Sequence, residues 1–155
     1  MVRQTYLIAL GGNVFGPWGR PEALLRTIAA DMSGVSRVVL SRPLGPSRRS
    51  YANAVAILEN DAAPPAMLAT LKACERRHGR RAGRRWGART LDLDIIGWSG
   101  GIWASSGLSI PHPAFRKRRF VLSPLAEIAP GWRDPLTGLS TRHLLARLDR
   151  RRPRE

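Results

Sequence analysis

The sequence predicts an α+β protein, a ferredoxin-like split βαβ sandwich built on a central, mostly antiparallel sheet. Three observations lead there. Short β-rich apolar runs and longer stretches of helical periodicity follow one another in the order β-α-β-β-α-β, which is the order of that motif. Apolar residues at 43% and charged residues at 24% are ordinary for a globular protein. At 155 residues the chain is long enough to bury one core, and it shows neither internal repeat nor interdomain linker. A single domain over residues 1–150 with a basic tail at 151–155 is expected.

The elements follow in order. "TYLIALGG" (5–12) is an apolar run closed by glycines, a buried first strand. The N-terminal stretch lacks a small-residue cleavage pattern, so it reads as that strand and not as a signal peptide. In "RPEALLRTIAADM", Pro21 and Glu22 suit a helix start, and Leu24, Leu25, Ile28 and Ala29 make one face. "SRVVLS" (36–41) predicts a second strand, and "RPLGPSRRS" a loop. "YANAVAILE" (51–59) alternates as a third strand. The helix of "APPAMLATLKACERRHG" ends with Gly79 as its C-cap. An arginine-rich loop (80–89) leads into the strand "TLDLDIIGW". "SGGIWASSGLS" suggests a turn with a short strand around Ile102 and Trp103. "IPHPAFRKRRFVLSPLAEIAPGW" mixes loop and short helix between its prolines, and "STRHLLARLDR" is a short last helix.

Charge is the loudest global feature. Against 11 acidic residues stand 26 basic ones, a net +15, and only Lys72 and Lys117 are lysines. The arginine fork suits carboxylate and phosphate, so the balance implies a polyanionic partner: nucleic acid, a membrane surface or a phosphorylated small molecule. No apolar run nears the ~20 residues that span a bilayer. The single cysteine, Cys74, excludes an internal disulfide, fits a reducing compartment and is expected to pack within its helix.

Within this basic chain, "RRWGARTLDLDIIGWSG" places Asp92 and Asp94 in an apolar run. A buried, unpaired carboxylate costs several kcal/mol, so something there must favour negative charge. Residues two apart on a strand share a face, which puts the two Cβ atoms roughly 6.6 Å apart while Leu91, Leu93 and Ile95 turn to the core. Two readings stay open. The carboxylates hold a pair of hard cations, magnesium filling its remaining positions with water and phosphate oxygens. Alternatively they line a solvated strand face and pair with nearby arginines, although aspartate is depleted in strands.

The flanking segments bear on that choice. Residues 76–89 hold seven arginines and no carboxylate, and Gly79, Gly83 and Gly87 make the loop pliable, as a closing lid requires. Beyond the strand, "HPAFRKRRF" supplies His112, Arg116, Lys117, Arg118 and Arg119. Carboxylates between two basic segments describe a magnesium-triphosphate site, and for each arginine singly the alternative is a solvated surface residue. There is no G-x-x-x-x-G-K-[ST], H-E-x-x-H or G-x-S-x-G motif and no cysteine cluster. "GGN" is too short for a dinucleotide fingerprint. P-loop nucleotidase, zinc hydrolase and serine esterase chemistry are thereby disfavoured.

"RRWGARTLDLDII" followed by "IPHPAFRKRRFVLSPLAEIAP" closely resembles the 6-hydroxymethyl-7,8-dihydropterin pyrophosphokinase family. "LIALGGN" and "PLGP…YANAV" fit the same family, so the resemblance covers nearly the whole chain. It implies transfer of pyrophosphate from MgATP to the pterin hydroxymethyl group, with release of AMP, in folate biosynthesis. It further implies magnesium, as two ions, on Asp92 and Asp94, and catalytic roles for Arg80 and Arg89 beside them. Nucleotide contacts map onto Glu75, Arg80, Arg89, Ile95, His112 and Arg118, with Glu75 in support. The pterin pocket maps onto Ser41, Arg42, Pro43, Leu44, Tyr51, Asn53, Trp86, Asp92 and Phe120. Tyr51 and Phe120 would stack on the ring, Asn53 would read its edge with amide donor and acceptor, and Trp86 would close over the site. The expected partners are ATP and the pterin alcohol, with no nucleic acid or membrane, in a cytoplasmic monomer or weak homodimer. Two rivals are a nucleic-acid-binding module, for which the aromatic RNP pattern is missing, and an inactive scaffold.

Overall fold

A computed structural model of the chain describes residues 3–12, 21–41, 51–78 and 91–151, with 21–24, 41 and 51 described by their backbone alone. The order is β1 (Gln4–Gly12), α1 (Pro21–Ala29), β2 (Gly34–Val35), β3 (Val39–Ser41), β4 (Tyr51–Asn60), α2 (Pro64–Arg77) and β5 (Asp92–Trp98). It continues through β6 (Trp103–Ser105), β7 (Leu108–Ile110), a 3-10 turn at Phe115–Lys117, α3 (Arg119–Ile128) and α4 (Thr141–Arg150). The main sheet runs β2-β4-β1-β5, β3 also pairs with β4, and every one of these pairings is antiparallel. This is the predicted α+β sandwich order, with β2 and β3 together in the place of one strand.

Both faces of the sheet are covered, which explains why β1 reads as an apolar run and why β4, expected to alternate, buries Ala54, Val55 and Ala56 in succession. Tyr6, Ile8 and Leu10 of β1 pack with Ala52, Ala54 and Ala56 of β4 against Leu25 and Ala29 of α1 and Met67 and Leu71 of α2. On the other face Leu7, Val55 and Ile96 meet Val121, Leu122 and Leu125 of α3 and Leu144 of α4. The β-α-β-β-α-β pattern accounts for the first helical layer, and the C-terminal helices add the second.

Of the predicted strand 36–41 only Val39–Ser41 is strand, and a further short strand, Gly34–Val35, precedes it. Between the pairs Val35↔Ala56 and Val39↔Asn53 the edge advances four residues while β4 advances three. Ser36 absorbs the extra residue as a bulge does. Its N–H donates to the Val55 carbonyl at 2.9 Å, and its Oγ accepts the Val55 N–H at 2.9 Å. The α3 segment departs from expectation too, running through Pro124 where the prolines suggested interruption. A proline inside a helix costs about 3 kcal/mol. Burial of Val121, Leu122 and Leu125, at roughly 1.5–3 kcal/mol each, exceeds that. Around Trp103 there is a hairpin of two strands and not one, turned at Gly107, whose φ of 77° disfavours any side chain. The last helical residue of α2 is Arg77 with His78 capping, and Gly79 lies outside the described residues.

One buried ion pair ties the C-terminal layer together. Asp134 is 0% exposed and accepts from Arg116 through both oxygens, Nε–Oδ2 at 2.5 Å and Nη2–Oδ1 at 2.7 Å. The Leu136 N–H (3.0 Å) and the Thr137 hydroxyl (2.8 Å) donate to the same carboxylate. Burial alone would raise its pKa; the Arg116, Leu136 and Thr137 bonds outweigh this and hold it below the ordinary 3.8. A carboxyl held low in the folded state stabilises that state above the unfolded value and ceases to do so as pH falls through the lower folded one. Asp134→Asn should therefore cost about 3 kcal/mol at pH 7 by urea denaturation, since it leaves Arg116 without its counter-charge. Its deficit relative to wild type should be constant from pH 7 to about pH 5 and narrow progressively below the ordinary carboxyl value. A pH-independent deficit would contradict this account.

Candidate active site

Strand β5 sorts its side chains by alternation. Leu93 and Ile95 are buried with Leu91 under α1 and α2, while Asp92 and Asp94 stand half-exposed on the other face. Antiparallel partners share a face, so the register says what lies beside them. Asp92 pairs with Gly11, and Gly11 with Asn53. Asp94 pairs with Ala9, and Ala9 with Val55. Two adjacent rows thus cross the sheet, Asn53–Gly11–Asp92 and Val55–Ala9–Asp94. With strands about 4.8 Å apart, Asn53 and Asp92 are separated by roughly 9.6 Å across a position that has no side chain. Gly11 and Gly12 close β1, as the sequence suggested. Glycine in a strand costs roughly 0.5–1 kcal/mol relative to alanine and marks a place of close approach.

The segment from β7 to α3 stands over this face. His112 donates its N–H to the Ile96 carbonyl at 3.1 Å, which ties the segment to β5. Its Nδ1 accepts the Ala114 N–H at 3.1 Å, so the neutral ring carries its proton on Nε2. Burial pushes the imidazole below its ordinary value, Asp94 and Asp92 draw it up, and Arg118 pushes it down. The net lowering leaves it neutral at pH 7, an Nε2–H donor beside two carboxylates. Arg118 caps the N-terminus of α3, with its Cζ 5.8 Å from the centre of the Phe120 ring. Phe120 is half-buried and packs on the cluster containing Leu7, Val55 and Ile96. Asn53 is 4% exposed, on the same face as Val55.

These are the predicted residues that the structure brings together: Asn53, Asp92, Asp94, His112, Arg118 and Phe120. Others stand differently. Glu75 is 1% exposed on α2, on the opposite side of β5, where Oε1 accepts the Leu93 N–H at 2.8 Å and meets Lys72 Nζ at 3.2 Å. It braces the outer edge of β5, the last strand of the sheet path, between the two aspartates. The Ile95 side chain is in the core, so only its backbone is placed to meet a ligand. Ser41 ends β3 opposite Tyr51 at the start of β4. Arg42, Pro43, Leu44, Arg80, Trp86 and Arg89 lie outside the described residues. The sequence reading missed the floor made by Ala9 and Gly11, whose partners emerge only once strand register is known. It missed the Ala114 hold on His112 as well, a backbone contact with no residue-type signature.

The profile of the 7,8-dihydro-6-hydroxymethylpterin-pyrophosphokinase family matches residues 7–130. The chain belongs to this family. A 2-amino-4-hydroxy-6-hydroxymethyldihydropteridine pyrophosphokinase of Synechocystis sp. is 38% identical over 148 residues, covering 92% of this chain and 75% of that one. The protein of the same name from Pseudomonas aeruginosa is 38% identical over 140 residues (87% of this chain, 86% of the relative). The one from Haemophilus influenzae is 40% identical over 130 residues (81% of each). For the pyrophosphokinase family the matched stretch runs from within β1 past the end of α3, so both site rows and the His112–Arg118 segment fall inside it. Asp134 and α4 fall beyond it.

The brace on β5 is open to test. Glu75→Ala removes a buried acceptor from the Leu93 N–H and should lower stability by about 1–3 kcal/mol in chemical denaturation. Glu75→Gln keeps an oxygen there and should lose distinctly less; equal losses would argue against the brace.

Proposed function

We propose that this face of the sheet is where the protein transfers pyrophosphate from ATP to the hydroxymethyl group of 6-hydroxymethyl-7,8-dihydropterin, a step of folate biosynthesis that releases AMP. The observation that carries the reading is the register: an amide and a pair of carboxylates on neighbouring rows, with only glycine and alanine between them. In the reaction the hydroxymethyl oxygen bonds to the β-phosphorus. The bond from that phosphorus to the oxygen bridging the α-phosphate breaks, AMP leaves with the bridging oxygen, and the hydroxyl proton passes to solvent.

Asp92 and Asp94 offer hard oxygen donors. Among the described residues no group of three or more His, Cys, Asp or Glu side chains gathers. Two carboxylates are the complement with which magnesium retains water and phosphate oxygens, so the donor set fits that ion. The two aspartates would hold it, as two ions, and when bound it neutralises phosphate charge. His112 Nε2–H and the Arg118 guanidinium donate to phosphate oxygens as charge moves through the β-phosphoryl group. Asn53 pairs with the edge of the pterin, and Phe120 covers a ring face. Tyr51, Trp86 and the 41–44 loop complete the pterin pocket, while Arg80 and Arg89 act on the phosphates. Glu75 serves by keeping β5 in place. The setting we assign is cytoplasmic, as a monomer or weak homodimer. No helix among the described residues is long and apolar enough to cross a membrane.

Incubation with ATP, magnesium and the pterin alcohol should yield AMP and a pyrophosphorylated pterin. Asp92→Asn and Asp94→Asn should each reduce kcat by at least about 10²-fold; turnover near wild type in either would remove the site from this strand. Gly11→Val places two methyl groups on the floor between Asn53 and Asp92. Overpacking of that kind should raise the pterin KM about tenfold or more. Calorimetric affinity for a non-hydrolysable ATP mimic should stay within about twofold, and an unchanged pterin KM would show that the ring lies elsewhere.

A further inference from the structure

The segment that carries His112 and Arg118 has little regular structure to fix it. Neither the 3-10 turn at Phe115–Lys117 nor α3 has a side-chain N-cap. One end is tied to β5 by the His112–Ile96 bond, and the other enters α3, where Val121 and Leu122 donate to the Arg118 carbonyl at 3.0 and 2.9 Å. Between these ends stand the fully buried Phe115 and, next to it, Arg116. Arg116 lies with its guanidinium 4.7 Å from the centre of the Phe115 ring and donates from Nε and Nη2 to Asp134.

A bidentate guanidinium–carboxylate contact fixes orientation as well as distance, which a single-point contact does not. Asp134 is itself immobilised. Its carboxylate takes the Leu136 N–H and the Thr137 hydroxyl, its N–H donates to the Leu139 carbonyl at 2.9 Å, and its carbonyl accepts from Gly138 at 2.8 Å. This anchor lies beyond the stretch matched by the family profile, yet it grips a side chain two residues before Arg118. It also engages the guanidinium of Arg116, whereas that of Arg118 stands 5.8 Å from the centre of the Phe120 ring.

We infer that Asp134 and Arg116 are positioning residues for Arg118, setting from outside the active site how its guanidinium meets the nucleotide. The inference rests on the nucleotide reading of Arg118 given above. A double-mutant cycle of Asp134→Asn and Arg118→Ala tests it, with all variants assayed below their melting temperatures. The readouts are affinity for a non-hydrolysable ATP mimic with magnesium, kcat, and the pterin KM. Asp134→Asn should weaken nucleotide affinity or kcat about tenfold, leave the pterin KM within about twofold, and have less than about a twofold effect once Arg118 is alanine. Thr137→Val keeps the ion pair and removes the hydroxyl that donates to Asp134 and accepts the Leu139 N–H. It should show the same dependence on Arg118 at about threefold, and it decides the matter should Asp134→Asn fail to fold. A loss equally large with and without Arg118 would mean a structural role only and would overturn the inference. An Arg118→Ala protein indistinguishable from wild type would overturn the nucleotide reading itself, and the inference with it.

Discussion

Strand β1 is hydrogen-bonded along both edges, to β4 on one side and β5 on the other, and the site inherits its geometry from that double pairing. A slip of one residue on either side would turn Asn53 or the aspartates into the apolar core beneath α1 and α2, at a cost of several kcal/mol for each buried charge. The same register that buries Leu10 and Leu93 together therefore sets Gly11 between Asn53 and Asp92. Placement of the candidate site and core packing are one constraint here, imposed by a shared two-residue period.

Around this rigid floor the fold distributes tasks by layer. Helix α2 works from behind, where the Glu75 carboxylate satisfies an edge peptide of β5. The C-terminal layer works from in front, bringing His112, Arg118 and Phe120 over the rows. That layer is held by apolar contacts of α3 and α4 with the sheet and by the Arg116–Asp134 pair, whose carboxylate is fully enclosed. Polar residues at the site thus rest on elements that are apolar elsewhere, and their orientation depends on bonds made at some distance from any substrate.

Much of this was legible in the sequence because it rests on local periodicity. The β-α-β-β-α-β order, the inward turn of Leu91, Leu93 and Ile95, and the emergence of Asp92 and Asp94 on one face all follow from spacing. The family emerged from two long motifs, and the matched stretch agrees with them. What was not legible depended on non-local pairing. That Gly11 sits between Asn53 and Asp92 was not legible, because a glycine's neighbours across a sheet are invisible in one chain of letters. The side of β5 on which Glu75 stands was not legible, because a helix face cannot be assigned until it is docked. Pro124 seemed to break a helix that burial of its neighbours sustains. Asp134 gave no sign of its partner, since an ion pair spanning Arg116 and a later loop leaves no periodic trace.

The break at Ser36 has a consequence of its own. On the outer margin of the sheet, Val35 and Leu40 are 45% and 62% exposed, apolar residues on strands that have no further strand neighbour among the described residues. An uninterrupted strand there would offer a ready template on which another chain could grow by backbone bonding. By turning its hydroxyl into the ladder, Ser36 cuts that margin into stretches of two and three residues that are out of step with each other. An arriving strand can match one but not both. Among the described residues, that border therefore meets an incoming strand as two short offset segments, not as one continuous edge.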